Sequence, residues 1–262
     1  MVIRVGVFGV GGRMGTSVAH AVCAEHDMAL VSAIDPSYEG IDVGEVTGVQ
    51  GCQFPVSSDT VTLVSDQVEV MVDFTHRDAA WSNLRFCADN GIHAVVGTSG
   101  FTEDDYGRIA EMFTSSNCLI APNFAIGAVL MMRFAEMAAP YFDTGEIIEL
   151  HHDAKVDAPS GTAVSTAERM AAANDDWSPD PTETETIAGA RGAKGPAGIP
   201  IHSVRMRGMT AHQEVVLGTM GQTLSIRHDS LDRSSFMPGV VLAVRRIGEL
   251  PGLTVGLDGV LD

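Results

Sequence analysis

The sequence predicts an α/β protein in which a Rossmann-type dinucleotide-binding domain is joined to a second, α+β domain. The β-branched segment 2–8 runs into a glycine-rich turn and then into a helical pattern. Strand and helix patterns continue to alternate up to residue 122, which is typical of a parallel sheet. Three strand patterns with short turns lie between residues 201 and 228, and they predict a mixed, largely antiparallel sheet.

The first strand and helix enclose a turn that is typical of dinucleotide binding. Its glycines at positions 9, 12 and 15 stand where a tight turn, close pyrophosphate approach and close helix packing require small residues. The next apolar segment ends at Asp35, whose carboxylate could accept hydrogen bonds from adenosine ribose hydroxyls. The alternative is a glycine-rich loop without a ligand. Predicted cofactor contacts are Gly9, Val10, Gly11, Gly12, Arg13, Met14, Gly15 and Asp35.

Asp35 also bears on the choice of cofactor. A carboxylate at this position repels a 2′-phosphate, and the residue that follows is Pro36 and not an arginine. We therefore expect NADH to be preferred over NADPH, although Arg13 could still reach a phosphate.

Further strand and helix patterns complete the first domain. Strands are predicted at 68–74, 93–96 and 118–121, and helices near 78–90 and from the N-cap Thr102 to about 115. Ligands of parallel sheets lie at the carboxyl ends of the strands. Taken alone, the segment 97–99 at one such end reads as an ordinary loop.

The densest group of titratable residues precedes a helix start. Segment 146–151 is predicted as a half-buried strand with Ile148 and Leu150 as its apolar positions, and a helical pattern runs from Ala163 to Ala173. His151, His152 and Lys155 would therefore face a helix N-terminus.

This helix start is predicted to bind an anion. The first N–H groups of a helix lack partners within the helix, so those of Ser160, Gly161 and Thr162 could hold a carboxylate, and Lys155 would add a full positive charge. With His151 nearby, such a site could donate a proton to a bound acid. A surface pair or a structural hydrogen-bonding pair is the alternative for the two histidines. No metal is expected, because neighbouring strand residues point to opposite faces and no third ligand has suitable spacing.

The segment Glu149-Leu150-His151-His152-x-x-Lys155-x-Asp157-Ala158-Pro159-Ser160-Gly161-Thr162-Ala163 resembles the signature of the 4-hydroxy-tetrahydrodipicolinate reductase (dihydrodipicolinate reductase) family of bacterial lysine and diaminopimelate synthesis. The resemblance implies NAD(P)H-dependent reduction of 4-hydroxy-tetrahydrodipicolinate, a small dicarboxylate, to tetrahydrodipicolinate. His151 matches the catalytic histidine and Lys155 the proton-donating lysine, whereas His152, Gly161 and Thr162 match substrate-binding positions. Further cofactor contacts implied by the family are Gly97, Thr98, Ser99, Ala121, Pro122, Asn123 and Phe124.

The rest of the chain is assigned to the second domain and to a return to the first. Segment 125–139 is predicted as a buried connecting helix too short to span a membrane, and 174–199 as an exposed loop. Four strands, including 147–151, would form a sheet that carries the segment from His151 to Lys155 at its edge. In the resembled family, such a sheet builds a homotetramer. A helix from Met237 and the segment 253–261 would complete the first domain. The predicted domains are 1–122 with 232–262, which binds the dinucleotide, and 123–231, which binds substrate and forms the oligomer.

Composition narrows the possible partners and location. A net charge of −18 argues against nucleic acid, because phosphate binding needs a basic face. Anionic ligands must then be attracted by local features such as helix N-termini, Arg13 and Lys155. Neither a membrane span nor a secretion signal is found, so we expect a cytoplasmic protein. The cysteines are expected to be free thiols; they are Cys23, Cys52, Cys87 and Cys118.

Two other functions would share the first domain. Another two-domain amino-acid dehydrogenase has no reason to carry the string from His151 to Lys155. A catalytically silent NADH sensor would need a partner-binding surface or a basic DNA-binding helix, and neither is found in the sequence.

Overall fold

The structure, a computed structural model, describes residues 2–261. The first part of the chain forms β1 (Ile3–Phe8), α1 (Arg13–Ala24), β2 (Met28–Ile34), α2 (Val43–Thr47), α3 (Thr62–Ser65), β3 (Val70–Asp73), α4 (Arg77–Asp89), β4 (His93–Val96), α5 (Glu103–Met112) and β5 (Cys118–Ile120). The second part forms α6 (Ile126–Ala138), β6 (Thr144–His151), α7 (Gly161–Ala173), β7 (Ala193–Lys194), β8 (Pro200–Arg205), β9 (Ala211–Thr219), β10 (Gln222–Ser230), α8 (Met237–Arg246) and β11 (Leu253–Val255).

The first compact unit combines the residues up to Phe124 with those from Arg233 onward. Its six strands are all parallel and lie in the order β11-β5-β4-β3-β1-β2. Strands β3 and β5 are buried along their whole length, as strands covered by helices on both faces should be. The predicted Rossmann-type sheet is thereby confirmed.

Local sequence signals place the helices of this unit. Thr102 caps α5, because its side chain accepts a hydrogen bond from the Asp105 amide while the Asp105 carboxylate accepts one from the Thr102 amide. Arg77 forms a further ion pair with Asp105, at 2.6 Å. The predicted N-cap at Thr102 is confirmed.

The second unit, Ala125–Asp232, is built on a mixed sheet in the order β10-β9-β6-β8-β7. Only β6 and β8 pair in parallel. The predicted count of four strands is wrong, because Ala193 and Lys194 pair with Ile201 and Pro200 as a fifth strand. Such a two-residue strand is too short to show alternation in the glycine- and proline-rich segment 174–199. Strand β6 is central in this sheet and not at its edge.

The burial of β6 is opposite to the sequence prediction. Gly145, Ile147 and Glu149 are its buried positions, whereas Ile148 and Leu150 are half-buried on the other face. Helix α7 covers the first face, where Gln213 of β9 donates a 2.7 Å hydrogen bond to Thr166. The apolar side chains chosen from the sequence therefore face away from the helices, and a carboxylate faces toward them.

Helix α6 was predicted as a buried connecting element. It covers 13 residues and buries Ala128, Val129, Met131, Met132 and Ala135. Within residues 2–261, no helix has the length and apolar character needed to cross a membrane.

Candidate active site

The glycine turn of the first unit has the geometry predicted from its spacing. Gly9 has a φ of +66°, which residues with a side chain rarely adopt. A Cβ atom at Gly15 would overlap the Gly9 carbonyl group, so the close packing of α1 on the turn requires glycine. Helix α1 starts directly after Gly12, and its N-terminus points its first amide groups toward the turn.

Asp35 lies beside this turn. Its carboxylate accepts hydrogen bonds from the Gly11 amide at 3.0 Å and from the Ser37 amide at 3.1 Å. Tyr38, which the sequence analysis did not single out, lies against Gly11 where a Cβ atom would stand. A side chain at position 11 is therefore excluded by the Tyr38 ring, and not only by the space that a dinucleotide needs.

A second group of predicted cofactor residues is organised by Asp73 and Phe74 at the end of β3. The buried Asp73 carboxylate accepts hydrogen bonds from Thr75 at 2.7 Å and from Thr98 at 3.4 Å. The Phe74 ring fills the space beside Gly97 and lies 5.5 Å from the ring centre of Phe124. These contacts connect the loops after β3, β4 and β5 at the carboxyl ends of the strands.

The first unit therefore fits a dinucleotide. Its strand ends carry a glycine turn with a positive φ at Gly9, an open helix N-terminus and an acidic residue after β2. Thr98 is buried, Ser99 and Pro122 are exposed, and Asn123 is half-buried.

In the second unit, the buried carboxylate of Glu149 connects the predicted catalytic residues. His151 Nδ1 lies 2.6 Å from one of its oxygens, and the amide of Ser160 donates to the other at 3.2 Å. Arg205 binds both oxygens through its two terminal nitrogens, each at 2.8 Å. Glu149 is fully buried, so these donors replace the water that a carboxylate otherwise needs.

Burial and charge set the protonation of this pair. Burial would raise the pKa of Glu149, but hydrogen bonds from Arg205, Ser203 and His151 outweigh it and hold the pKa below its usual value. Burial lowers the pKa of His151, and the charges of Lys155 and Arg205 lower it further. Near pH 7 the imidazole is thus neutral and the carboxylate ionised. Because a carboxylate can only accept, the imidazole proton is on Nδ1, and Nε2 has a free electron pair.

Lys155 is held by a counter-ion from its own loop. Its Nζ atom lies 2.8 and 2.7 Å from the two carboxylate oxygens of Asp157. The hydrogen bond from Lys155 lowers the pKa of Asp157. The backbone carbonyl of Asp157 in turn accepts a 2.7 Å hydrogen bond from Arg205. Lys155 and His151 are therefore joined through Asp157, Arg205 and Glu149, whereas the side chain of His152 is exposed.

The start of α7 completes this group. Ser160 is its N-cap and accepts a 3.2 Å hydrogen bond from the Ala163 amide, so its side chain serves the helix. Gly161 is exposed, and a Cβ atom there would meet no other atom within 4 Å. Open space next to the amide end of a helix suits an approaching anion.

Sequence reasoning missed Glu149 and Arg205 as functional residues. The available signal for Glu149 was a carboxylate two positions before His151, on the same side of the strand. Arg205 lies 56 residues after Glu149, and only the pairing of β6 with β8 brings them together. No local spacing could have shown that contact.

Comparison with known protein families identifies the family of this chain. The family model described as "Dihydrodipicolinate reductase, N-terminus" matches residues 3–124, and "Dihydrodipicolinate reductase, C-terminus" matches residues 127–261. The chain belongs to the dihydrodipicolinate reductase family. It is thus an oxidoreductase, and this family uses a nicotinamide cofactor, which the glycine turn fits.

Individual members of the dihydrodipicolinate reductase family match over nearly the full length. Proteins from Mycobacterium sp. (strain KMS) and Mycobacterium marinum, both named 4-hydroxy-tetrahydrodipicolinate reductase, are 49% identical, and the alignments cover 99% of each chain. A solved structure described as dipicolinate-bound dihydrodipicolinate reductase from Paenisporosarcina sp. TG-14 is 40% identical, with a TM-score of 0.87 and 99% of both chains covered. An amine dehydrogenase from Mycobacterium smegmatis, at 15% identity and a TM-score of 0.61 over 96% of this chain and 94% of that one, shares the fold alone.

Proposed function

We propose that this chain reduces 4-hydroxy-tetrahydrodipicolinate to tetrahydrodipicolinate in the diaminopimelate and lysine pathway. The observation that supports this most strongly is the hydrogen bond between His151 and the buried carboxylate of Glu149, which also binds the Ser160 amide at the start of α7. The positive charge of Lys155 is near enough to lower the pKa of His151. Membership of the reductase family and the names of its relatives support the substrate.

Each unit would contribute a different part of the chemistry. A nicotinamide cofactor bound at the strand ends of the first unit would supply hydride to the cyclic, imine-containing dicarboxylate that forms when the 4-hydroxy substrate loses water. In the second unit, Lys155 and the amides of Gly161 and Thr162 would bind a substrate carboxylate. That carboxylate would take the place of Asp157 beside the Lys155 ammonium, which exchanges one counter-ion for another without burying an unpaired charge.

After hydride addition the electron-rich ring needs a proton. The Lys155 ammonium carries one, and His151 is oriented by Glu149 so that Nε2 can bind a substrate or water proton. Glu149 touches no reacting atom in this scheme, and it acts by fixing the tautomer and position of His151.

The test is NADH oxidation that depends on the condensation product of pyruvate and aspartate semialdehyde. We expect Lys155→Ala and His151→Ala to lower kcat by about 10²-fold or more while the Kd for NADH stays near the wild-type value. Unchanged turnover in either variant would refute the assignment. Cofactor binding without turnover of the wild-type protein would instead favour a sensor.

We further propose that NADH is preferred over NADPH. The support is the Asp35 carboxylate, which lies within 3.0 Å of the turn at Gly11, where it would meet the adenosine ribose. A phosphate on that ribose would be repelled by the carboxylate.

We also propose that the chain forms a homotetramer through the outer face of the second sheet, as the sequence resemblance implies. The face opposite α7 carries four half-buried aliphatic side chains, Ile148, Leu150, Val204 and Val216. Ion pairs surround them, among them Glu146 with Arg191 at 2.7 Å. An apolar centre with a charged rim is typical of an interface.

A further inference from the structure

A pair of cysteines that plays no part in the proposed reaction lies in the first unit. Cys23 is the second-to-last residue of α1, and Cys52 lies in the segment after α2. Their sulfur atoms are 2.9 Å apart, and both residues are half-buried thiols. A disulfide bond needs a sulfur separation of about 2.0 Å, so little movement separates the contact from a bond.

Bonds on both sides of Cys52 fix its position. The Val43 amide donates to the Phe54 carbonyl at 2.9 Å, and the Val56 amide donates to the Ile41 carbonyl at 2.8 Å. From α1, His20 Nε2 lies 2.9 Å from the carbonyl oxygen of Thr47. The segment that carries Cys52 is therefore attached both to Ile41 and Val43 at the start of α2 and to the helix that carries Cys23, so the sulfur contact is part of a packed arrangement.

The other two cysteines, Cys87 and Cys118, differ from this pair in their burial. Cys87 is 1% exposed and Cys118 is fully buried, and both belong to the core between the sheet and its helices. Burial raises the pKa of both thiols. They provide an internal reference, because an oxidant in solution does not reach them in the folded protein.

We propose that Cys23 and Cys52 form a reversible intramolecular disulfide bond when the protein meets an oxidised low-molecular-weight disulfide. Cys52, in a segment whose neighbours Gly51 and Gln53 are exposed, reacts first. Burial and the neighbouring thiol raise the pKa of Cys23 to about 12, so Cys23 is seldom the attacking thiolate in the first step.

The exchange balances in two steps. The Cys52 thiolate attacks one sulfur of the small disulfide, which forms a mixed disulfide and releases one small thiolate. Cys23 then gives up its proton, attacks the Cys52 sulfur and expels the second small thiolate. Two electrons pass from the protein to the small disulfide, and the two protons from the cysteines end on the two small thiols.

The bond would act on the stability of the first unit. It closes a loop that contains Asp35 and Tyr38 and attaches that loop to the far end of α1, roughly 15 Å from the glycine turn. We expect the oxidised protein to melt roughly 5–10 °C above the reduced protein. The NADH site is at the other end of α1, so the KM for NADH should change little.

The experiment uses the full-length protein, freed of reductant and incubated with oxidised glutathione. Free thiols are then blocked, the protein is digested and the peptides are analysed by mass spectrometry. The expected result is a cross-linked peptide pair containing Cys23 and Cys52, with Cys87 and Cys118 labelled only after unfolding. A dithiol reductant should remove both the cross-link and the rise in Tm.

Two serine variants separate the steps. Cys23→Ser should retain glutathione on Cys52, because the resolving thiol is missing, and Cys52→Ser should take up none. Neither variant should show the rise in Tm. The proposal is overturned if the wild-type protein keeps a stable mixed disulfide on Cys52, cross-links two chains, or leaves both thiols free.

Discussion

The protonation of His151 depends on a residue two positions before it. Glu149 accepts a hydrogen bond from Nδ1, and although burial raises its pKa, the hydrogen bonds from Arg205 and its other donors keep it ionised. The carboxylate favours the charged imidazolium, but burial and two nearby cations outweigh it. At the residue scale, reactivity is thus set by which neighbours surround one imidazole ring.

A proton NMR titration tests this balance. We expect the pKa of His151 to lie below 6.5 in the wild-type protein and lower still in Glu149→Gln, because the amide removes the charge that stabilises imidazolium. The His151→Asn spectrum identifies the signal, and Glu103→Gln in α5 serves as a control. A wild-type pKa above 6.5 would contradict the neutral imidazole.

Gly161 offers a substitution that separates binding from folding. A Cβ atom there meets nothing within 4 Å, so Gly161→Ala should fold and melt like the wild-type protein. If a substrate carboxylate approaches the α7 amides, the methyl group should raise KM by about tenfold. The matched control is Gly107→Ala, an equally open helical position in α5. An unchanged KM in Gly161→Ala would remove this position from the substrate site.

Asp35→Asn tests cofactor preference by removing the carboxylate charge. The amide oxygen can replace only one of the two carboxylate oxygens, so either the Gly11 or the Ser37 amide loses its acceptor, and a thermal melt checks that the fold is kept. We expect NADH to bind about tenfold more weakly and NADPH to bind as well or better, since the repulsion of a 2′-phosphate is gone. Steady-state kinetics with both cofactors measures the ratio, and an equal loss for both would argue against the proposed preference.

At the scale of elements, one carboxylate connects two strands and a helix. Glu149 on β6 binds Arg205 on β8 and the Ser160 amide at the start of α7. Glu146 on the same strand faces the opposite side, where it is 38% exposed and pairs with Arg191 and His202. The two acids therefore form a natural comparison between a buried and a half-exposed ion pair.

Glu149→Gln should destabilise the protein by about 2–4 kcal/mol at pH 7, because the buried part of Arg205 loses its counter-ion. Glu146→Gln should lower the free energy of unfolding by less than about 1 kcal/mol. Urea unfolding measures both.

The loss in Glu149→Gln should also depend on pH. The folded-state pKa of Glu149 lies below the unfolded value of 4.5, so its contribution is complete above that pH and disappears as the pH falls through the folded-state pKa. The difference from wild type should therefore shrink below pH 4.5. A difference that is constant with pH would show that the carboxylate charge is not responsible.

At the scale of the whole molecule, a strongly negative net charge surrounds a site that contains two cations. The chain carries a net charge of −18, yet Lys155 and Arg205 concentrate positive charge at the end of β6. Both cations are already paired with carboxylates of the second unit, Asp157 and Glu149. Binding of a dicarboxylate substrate within this repelling surface would therefore depend on replacing Asp157 beside Lys155 and on the amides at the start of α7.

The proposed tetramer is tested at the same scale. Ile148→Asp places a charge on the outer face of the second sheet without touching the inner core, so it should dissociate the assembly into smaller species. Light scattering with size-exclusion chromatography measures the mass. Met220→Asp, in the exposed turn between β9 and β10, is the control. A wild-type monomer, or an Ile148→Asp tetramer, would contradict this interface.

The sequence by itself determined the features that depend on near neighbours. The glycine turn, the N-cap at Thr102 and the helix predicted from Ala163 each follow from residues a few positions apart. The structure confirms their local geometry, with α7 beginning two residues earlier, at Gly161. Such features can be predicted from the sequence because caps and tight turns have specific side-chain requirements.

Only the tertiary structure decided which face of β6 is buried and which partners its acid has. Period-two alternation identifies a strand but assigns its faces only if one face is clearly apolar, and here Ile147 and Ile148 made both faces plausible. Arg205 reaches Glu149 because two distant strands pair, and strand pairing is set by long-range packing. The histidine and lysine could therefore be named from the sequence, whereas the carboxylate that orients the histidine required the folded sheet.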